Sequence, residues 1–480
     1  MGLAFVPLYI KYLGIEAYGV IGIFAMLQAW LAMLDMGMIS ALSREMARFT
    51  GGAHNAQSIR DLLRSIEIIG LGITVLIASG IWLASGWLAS DWLKAEKLPV
   101  DTVAQAFSIM GMITALRFFE NIYRGSIAGL QRQVALNVIN SIMATLKGLG
   151  AVGILIWVSP TIEAFFLWQG ILSILTVGLF IVIVYHTLPT ADRSGQFSMP
   201  ALKSIWRYAA GMVSITFLSL ILSQVDKILL SKLLTLETFG YYSLATIVAS
   251  SLFTLSMPIA QAFFPHFSRL VANQEQAQMI HSFHKSAQMV AVAIGSTAII
   301  LIVFAEPILH LWTQDATLAQ RSAPLVRLLA LGNLLNGLMW IPYNAQLAYG
   351  WTSFTLKVTI ISVAIIVPAI FWAAPLYGAL GAASVWVILN AGNMFIGYQF
   401  IYRKILCGEK WRWYFQDTLI PLWWATFSAL LFSWLAPYPT TNLMQVLWLC
   451  DVLIVCLITS GLSAPFVRNY FKSFNFKAKF

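Results

Sequence analysis

The chain has 480 residues, of which 59% are hydrophobic and only 10% are charged. A soluble domain carries about 25% charged residues, so this composition indicates an integral membrane protein and excludes a soluble one. The formal net charge of +10 could suggest a nucleic-acid partner, but the placement of the basic residues argues against that reading.

Long apolar runs, bounded by charged residues, Gly or Pro, recur along the whole chain. About 20 such residues cross the hydrocarbon core of a bilayer. The runs therefore predict an all-α polytopic membrane protein with thirteen full spans, at about 17–41, 62–88, 103–130, 134–158, 162–187, 204–231, 236–265, 287–312, 322–349, 354–374, 376–403, 415–436 and 445–467. The segment Met1–Ile10 is half the required length, and we interpret it as the outer half of a truncated first helix; a short interfacial N-terminus is the alternative.

The basic residues are unevenly divided between the two sides of the membrane. With the half-helix counted as the first of fourteen spans, twenty Lys and Arg residues fall on the side that holds the C-terminus, and seven fall on the other. The positive-inside rule then places the C-terminus in the cytoplasm. This bias accounts for the net charge without nucleic acid, and it predicts that the tail 472–480 lies near anionic lipid headgroups.

The sequence also contains an internal repeat. Residues 11–19 read KYLGIEAYG, and residues 232–240, 221 positions later, read KLLTLETFG. Six predicted helices separate the two, so the halves have the same orientation in the membrane. We expect two six-helix lobes in a parallel pseudo-repeat, at 1–190 and 200–405, with a substrate site between them. Two further helices and a basic tail, 412–480, are expected outside the repeat.

One predicted span, 103–130, carries Arg117, Glu120 and Arg124 within an otherwise apolar segment. At about 100° per residue, the three side chains form one stripe along the helix. Charged groups inside a membrane usually face a bundle interior or a wet cavity, so the stripe predicts a substrate-binding wall. Glu120 and Arg124 could instead form a structural pair one turn apart. The equivalent positions of the second lobe are apolar, which assigns the charged wall to the first lobe.

Other polar residues lie inside predicted spans. Lys147 is at nearly the same depth as Arg117, and it either faces the cavity or loses its proton and packs neutral. Asn137 and Asn140 share its broad face and could hydrate the cavity or join helices. Asp35, seven residues after Gln28 and on the same face, is our candidate for binding a coupling proton or cation; a structural salt bridge is the alternative.

No pattern for catalysis or for a cofactor is present. Cys407, Cys450 and Cys456 are odd in number and have no paired spacing, so neither a disulfide framework nor a metal site is indicated. His281 and His284 are one turn apart on a polar segment without a third ligand, and we expect both to be solvated. Because no nucleophile-plus-base pattern or phosphate-binding loop occurs elsewhere, we predict no metal, no cofactor and no chemistry on the substrate.

Three segments of the chain read FVPLYIKYLGIEAYGVIGIFAMLQAWLAMLDMGMISALSREMAR, GLQRQ and QVDKILLSKLLTLETFGYYSLA. They resemble the corresponding segments of bacterial polysaccharide-repeat (O-antigen) flippases of the Wzx type. The wider superfamily includes multidrug exporters of the MATE type and the peptidoglycan-precursor flippase. The resemblance implies export of an undecaprenyl-diphosphate-linked oligosaccharide from the cytoplasmic to the periplasmic leaflet of the inner membrane. It also suggests a polysaccharide polymerase and a chain-length regulator as partners.

The resemblance and the charge pattern suggest a mechanism. A diphosphate diester carries two negative charges and cannot enter bare hydrocarbon, whereas a cationic central cavity lowers that barrier. Arg117 and Arg124 would donate to phosphate oxygens, Lys147 would supply a point charge, and Glu120 would hold an arginine in place. Rocking of the lobes would expose the cavity to each side in turn.

Two other functions are alternatives to this mechanism. The main alternative is a multidrug or cation antiporter of the same superfamily, which would need acidic and aromatic groups around a cationic drug. A membrane-bound glycan polymerase or ligase would need a large periplasmic loop, and every predicted outward loop is short.

Overall fold

A computed structural model of the chain describes residues 2–34, 38–50, 55–189 and 193–469. Within these ranges the chain is helical: it forms nineteen α-helices and three π-helical segments, and its only strand-like pairing is an isolated bridge between Lys94 and Thr235. The expectation of an all-α membrane protein is confirmed.

The helices have the following bounds. In the first half they are α1 (Gly2–Leu13), α2 (Ile15–Leu34), α3 (Met38–Thr50), α4 (Ala56–Trp87), α5 (Val100–Gly129), α6 (Gln133–Trp157), α7 (Ile162–Thr187), α8 (Met199–Leu233) and α9 (Leu236–Ser250). They continue as α10 (Phe253–Ala272), α11 (Gln276–Val303), α12 (Ala305–Thr313), α13 (Ala316–Leu338), α14 (Trp340–Ala348), α15 (Thr352–Gly392), α16 (Gln399–Lys404), α17 (Lys410–Arg412), α18 (Ile420–Leu435) and α19 (Asn442–Ser463). The π-helical segments are Leu88–Trp92, Asn393–Gly397 and Trp413–Leu419.

Nine helical runs in the described part of the chain are long and apolar enough to cross a bilayer. A tenth is obtained if α9 and α10, bent by 40°, count as one span. The sequence predicts thirteen. The difference arises because the span at 17–41 includes residues outside the described ones and because many side chains of the span at 204–231 are not described. In addition, one run, Thr352–Lys404, contains two predicted spans.

The two spans inside that run form a hairpin. Gly378 has φ 59° and ψ −145°, a conformation that breaks the helix and that glycine adopts without a Cβ clash. Beyond this break the chain runs back, because Ser362 Oγ and Asn393 Oδ1 are only 3.4 Å apart although 31 residues separate them. In a continuous helix they would be about 46 Å apart at 1.5 Å per residue. The separate predicted spans 354–374 and 376–403 are thus confirmed.

The chain divides into two compact units, Met1–Gly240 and Tyr241–Phe480. Helix α8 packs against α2, α3 and α4 and belongs to the first unit, although the repeat assigns it to the second lobe. The lobe limits at 1–190, 200–405 and 412–480 stay a prediction.

The repeated segments contact each other at the starts of α2 and α9. A Cβ placed on Gly19 would lie 2.6 Å from the Leu236 carbonyl oxygen, and one on Gly240 would lie 2.3 Å from the Ile15 carbonyl oxygen. Gly19 and Gly240 are related by the offset of 221, and so are Ile15 and Leu236. The contact is therefore reciprocal, and each helix approaches the other through the same small residue of the repeat.

Each unit has an apolar core that fixes the helices carrying polar groups. In the first unit α3, α4, α5 and α7 pack around fully buried residues such as Leu42, Leu63 and Ile127. In the second unit the helix pair α18 and α19 packs on α11 through Ala429 and Val452.

Candidate functional site

Helices α5 and α6 form an antiparallel hairpin. α5 ends at Gly129 and α6 begins at Gln133, and the connection contains Gln131 in the left-handed region with φ 59°. Such a short link allows only a reversal of direction. Residues at matching distances from the link therefore lie at similar depths on the two helices.

A cavity of about 430 Å³ lies within the first unit, along this hairpin. Ten described residues line it, namely Gln28, Arg117, Glu120, Asn121, Arg124, Asn140, Met143, Ala144, Lys147 and Thr176. Four come from α5 and four from α6, and on each helix their spacing is i, i+3, i+4 and i+7. That spacing selects one face of a helix, so the cavity is a groove between two facing helical stripes.

All four predicted binding residues, Arg117, Glu120, Arg124 and Lys147, line this groove. Glu120 is the one acidic residue among the lining residues that the structure describes, against three cationic ones. The proposed coupling residue Asp35 lies outside the described residues. Its role stays a prediction.

Arg117 is held in place by glutamines rather than by a carboxylate. Its Nη1 donates to Gln28 Oε1, and its Nη2 donates to Gln169 Oε1 over 3.4 Å. The guanidinium also stacks over Phe24, with Cζ 5.2 Å from the ring centre. The two amide oxygens accept from Nη1 and Nη2 without neutralising the charge, and the buried Nε has no partner among the described residues. Arg117 therefore remains a fixed positive group at the wall of the groove.

Gln169 also ties Arg117 to the opposite wall. Its Nε2 donates to the Lys147 carbonyl oxygen over 3.2 Å. Arg117 and Lys147 therefore lie at the same depth, on α5 and α6. The Lys147 ammonium has no hydrogen-bond or ion-pair partner among the residues that the structure describes, and it lines the groove.

Glu120 does not form the expected pair with Arg124. No ion pair joins Glu120 to Arg124 or to Arg117 within the described part of the chain, and the Glu120 Oε2 atom is shielded without a partner. Glu120 is only 7% exposed. The role predicted for Glu120, holding an arginine in place, is not seen as an ion pair here and stays a prediction. The three charges lie on one stripe as predicted, but the glutamines of α2 and α7 bind Arg117 instead.

A second polar cluster lies in the second unit, and it overturns the expectation for His284. The imidazole is completely buried: its Nδ1 is bonded to Asp417 Oδ2, and its Nε2 lies 2.9 Å from Glu409 Oε2. Gln288 donates to Asp417 Oδ1 over 2.8 Å and accepts from the Phe466 N–H over 2.9 Å. The cluster joins α11 to the segments just before α18 and just after α19.

His281, in contrast, is exposed as expected and packs edge-on against Phe466. The burial of His284 has no local signal in the sequence, because its partners lie more than 120 residues away along the chain. Within the described residues no group of three His, Cys, Asp or Glu side chains is arranged so that it could hold a metal ion. His284, Asp417 and Glu409 form a hydrogen-bonded network of side chains.

A third cluster surrounds Glu67 on α4, which is 3% exposed. It accepts hydrogen bonds from the hydroxyls of Tyr123 and Tyr185, at 2.8 and 2.9 Å, and it pairs with Arg64 over 3.1 Å. These bonds join α4 to α5 and α7. The signal for this cluster in the sequence is the carboxylate of Glu67 inside the predicted span 62–88.

The multi-pass helical fold and a polar groove within its apolar helices define a membrane transporter. A family model described as "Polysaccharide biosynthesis protein" matches residues 11–316, and the chain belongs to this family.

Individual relatives agree with this class. A protein of Shigella flexneri named "Putative O-antigen transporter" is 21% identical over 390 residues, which cover 79% of this chain and 89% of that protein. The lipid II flippase MurJ in an inward closed conformation has a TM-score of 0.67 at 13% identity and covers 98% of this chain and 97% of its own.

An inward-facing multidrug resistance MATE family transporter of the MOP superfamily also has a TM-score of 0.67, at 15% identity, and covers 84% of this chain and 94% of its own. At these identities the solved structures establish the fold. The Shigella flexneri relative and these two solved structures are named as transporters or a flippase.

Proposed function

We propose that this protein flips undecaprenyl-diphosphate-linked oligosaccharide repeat units from the cytoplasmic to the periplasmic leaflet of a bacterial inner membrane, by alternating access. The family match and the names of two relatives, an O-antigen transporter and a lipid II flippase, support a lipid-linked glycan as the cargo. The basic loops support a cytoplasmic C-terminus.

The observation that carries the proposal is the pair of unpartnered cations in the groove. Arg124 and Lys147 line one cavity, and neither has a hydrogen-bond or ion-pair partner among the described residues. Lys147 is half-buried in the wall of the groove and Arg124 is exposed there. An uncompensated charge within a membrane-spanning helix is costly, and such residues usually mark a substrate pathway. A diphosphate would supply the missing negative charge, and its oxygens accept the donors that arginine and lysine present.

The membrane potential can drive this transport. Moving two negative charges outward across about 100 mV, inside negative, releases up to about 4.6 kcal/mol, at about 2.3 kcal/mol per charge. Coupling to protons or sodium is therefore not an energetic requirement. Asp35 remains our candidate should such coupling operate.

A multidrug or cation antiporter fits the groove less well. A cationic drug would meet three positive side chains and one carboxylate among the lining residues described. Like charges in such a confined space repel strongly, so the groove favours an anion.

The test is export in a strain that lacks the gene. Deletion should remove surface polysaccharide and leave an undecaprenyl-linked glycan inside the cell, and the native gene should restore export. Lys147→Ala and Arg117→Ala should fail to restore it at normal protein level. Arg132→Ala, which removes an exposed cation at the end of the same hairpin, is the matched control and should restore export.

Normal export with both Lys147→Ala and Arg117→Ala would refute the phosphate-binding role. Unchanged surface polysaccharide after deletion, together with new sensitivity to cationic drugs, would favour the antiporter instead.

A further inference from the structure

We propose that residues 92–97, in the link between α4 and α5, are an outer clasp that releases the link between α8 and α9 each time the substrate leaves the groove outward. The clasp presupposes the proposed alternating access and identifies the contacts that its outer opening breaks. On the proposed topology both links lie on the periplasmic side of the membrane. Every contact involved lies within the first compact unit.

Two glutamates of the internal repeat bind the same lysine of the clasp. Glu16 and Glu237 are related by the offset of 221. The Glu16 carboxylate, which is 4% exposed, accepts from the backbone N–H groups of Glu96 at 2.6 Å and of Lys97 at 2.9 Å. Glu237 Oε2 lies 2.6 Å from Lys97 Nζ. The first repeat thus binds the backbone of Lys97, and the second binds its ammonium.

The clasp also follows the α8–α9 link along its length. Trp92 Nε1 donates to Ser231 Oγ over 3.1 Å, and the Leu236 N–H donates to the Lys94 carbonyl oxygen over 3.0 Å. Lys94 and Thr235 form the isolated parallel bridge of the described chain. These contacts join segments that are distant in the sequence, so the clasp holds the outer ends of α8 and α9 against those of α4 and α5.

The two attachments of Lys97 differ in strength. Hydrogen bonds from backbone N–H groups to a buried carboxylate are charge-assisted and protected from water, so the Glu16 attachment is firm. The Lys97 side chain is 67% exposed, and water competes with an ion pair at such a site, so the Glu237 attachment breaks more easily. The predicted lobes place 92–97 in the first lobe and 231–237 in the second. When the lobes part on the outer side, the clasp therefore stays with α2 and releases the α8–α9 link.

Leu236 joins the clasp to the close contact between α2 and α9. Its N–H donates to Lys94 in the clasp, and its carbonyl oxygen lies beside Gly19 at the reciprocal contact. A displacement of the α8–α9 link that breaks the first contact also moves the second. Release of the clasp and separation of α2 from α9 are therefore one coupled step.

A disulfide across the bridge should lock the clasp. Neighbouring strands lie about 4.7–4.9 Å apart, within the Cα separations of about 4.4–6.8 Å that disulfides span, so Lys94→Cys with Thr235→Cys can pair in the oxidising periplasm. The pair is introduced after replacement of the native cysteines by alanine, at Cys407, Cys450 and Cys456. A strain that depends on this variant should lose its surface polysaccharide, and a membrane-permeant reductant should restore it. Each single-cysteine variant should export normally, and thiol labelling after denaturation measures the bridged fraction.

Labelling of a cysteine beneath the clasp measures its release without a disulfide. Leu236→Cys replaces a side chain that is 1% exposed, and a membrane-impermeant maleimide reaches it only when the clasp opens. Adding Glu237→Gln removes the charged partner of Lys97 and should speed labelling several-fold. Glu96→Gln is the matched control: it changes a neighbouring carboxylate that has no partner among the described residues, and it should leave the rate unchanged.

The outcomes separate the clasp from the proposed function. Normal export by fully bridged protein would overturn the clasp, and so would equal labelling rates for the Glu237→Gln and Glu96→Gln variants. If the cysteine pair exports neither when bridged nor when reduced, the labelling rates decide. None of these results touches the proposed function, which fails if the deletion strain makes normal surface polysaccharide.

Discussion

Arg117 Nη2 lies 3.4 Å from Gln169 Oε1, and the amide of the same glutamine donates to the Lys147 carbonyl oxygen over 3.2 Å. A single neutral side chain on α7 thus sets the position of one cation and of the helix that carries another. Because Gln169 is 6% exposed, these bonds are protected from competing water.

Replacing Gln169 with Leu should impair export by several-fold while the protein still inserts and folds. The substitution keeps the volume but removes one of the two acceptors of the Arg117 guanidinium, which then keeps only its bond to Gln28 and is held less firmly at the wall of the groove. Surface polysaccharide at matched protein level measures the effect. Ser173→Ala is the control on the same helix, because the Ser173 hydroxyl is buried without a partner and its loss should leave export unchanged. Equal export by both variants would contradict the prediction.

Replacing Glu120 with Gln should tighten the binding of pyrophosphate by about tenfold. The change keeps the shape of the side chain and removes the one negative charge among the described residues of the groove. Calorimetry on the purified protein measures it, with Glu120→Asp as the control that retains the charge. Weaker binding by the glutamine variant would mean that Glu120 contacts the ligand directly and favourably.

Replacing His284 with Ala should lower the midpoint of thermal unfolding by several degrees. The substitution removes the imidazole that is hydrogen-bonded to Asp417, itself 0% exposed, and leaving a buried polar group without such a partner costs about 1–3 kcal/mol. The midpoint is measured on the detergent-purified protein, as the temperature at which half of the monomer peak on size exclusion is lost. His281→Ala removes an exposed histidine one turn away and should shift it little. Equal midpoints for the two variants would show that the cluster does not stabilise the fold.

Replacing Gly19 with Ala should reduce both stability and export. An added Cβ would lie 2.6 Å from the Leu236 carbonyl oxygen, closer than real Cβ contacts, so α2 and α9 must separate at their reciprocal contact. Gly240→Ala should act in the same way, because its Cβ would meet the Ile15 carbonyl oxygen at 2.3 Å. Gly72→Ala is the control: no atom lies within 4 Å of the added Cβ, and the helix should become slightly more stable. Normal stability and export in both Gly19 and Gly240 variants would refute the importance of this contact.

The sequence by itself determined the helical membrane fold, the repeat and the charged stripe. Apolar runs and their breaks are local properties, so the two spans around Gly378 could be predicted before the hairpin was seen. Helical periodicity alone placed Arg117, Glu120 and Arg124 on one face, and all three do line one groove.

Only the tertiary structure decided which groups become partners. Periodicity says which residues share a face, but hydrogen bonds depend on which distant helix lies opposite at the same depth. For that reason Gln169 binds Arg117 across 52 residues, while Glu120, one turn from Arg124, pairs with no described residue. The same reason buries His284 against Asp417, 133 residues further along the chain.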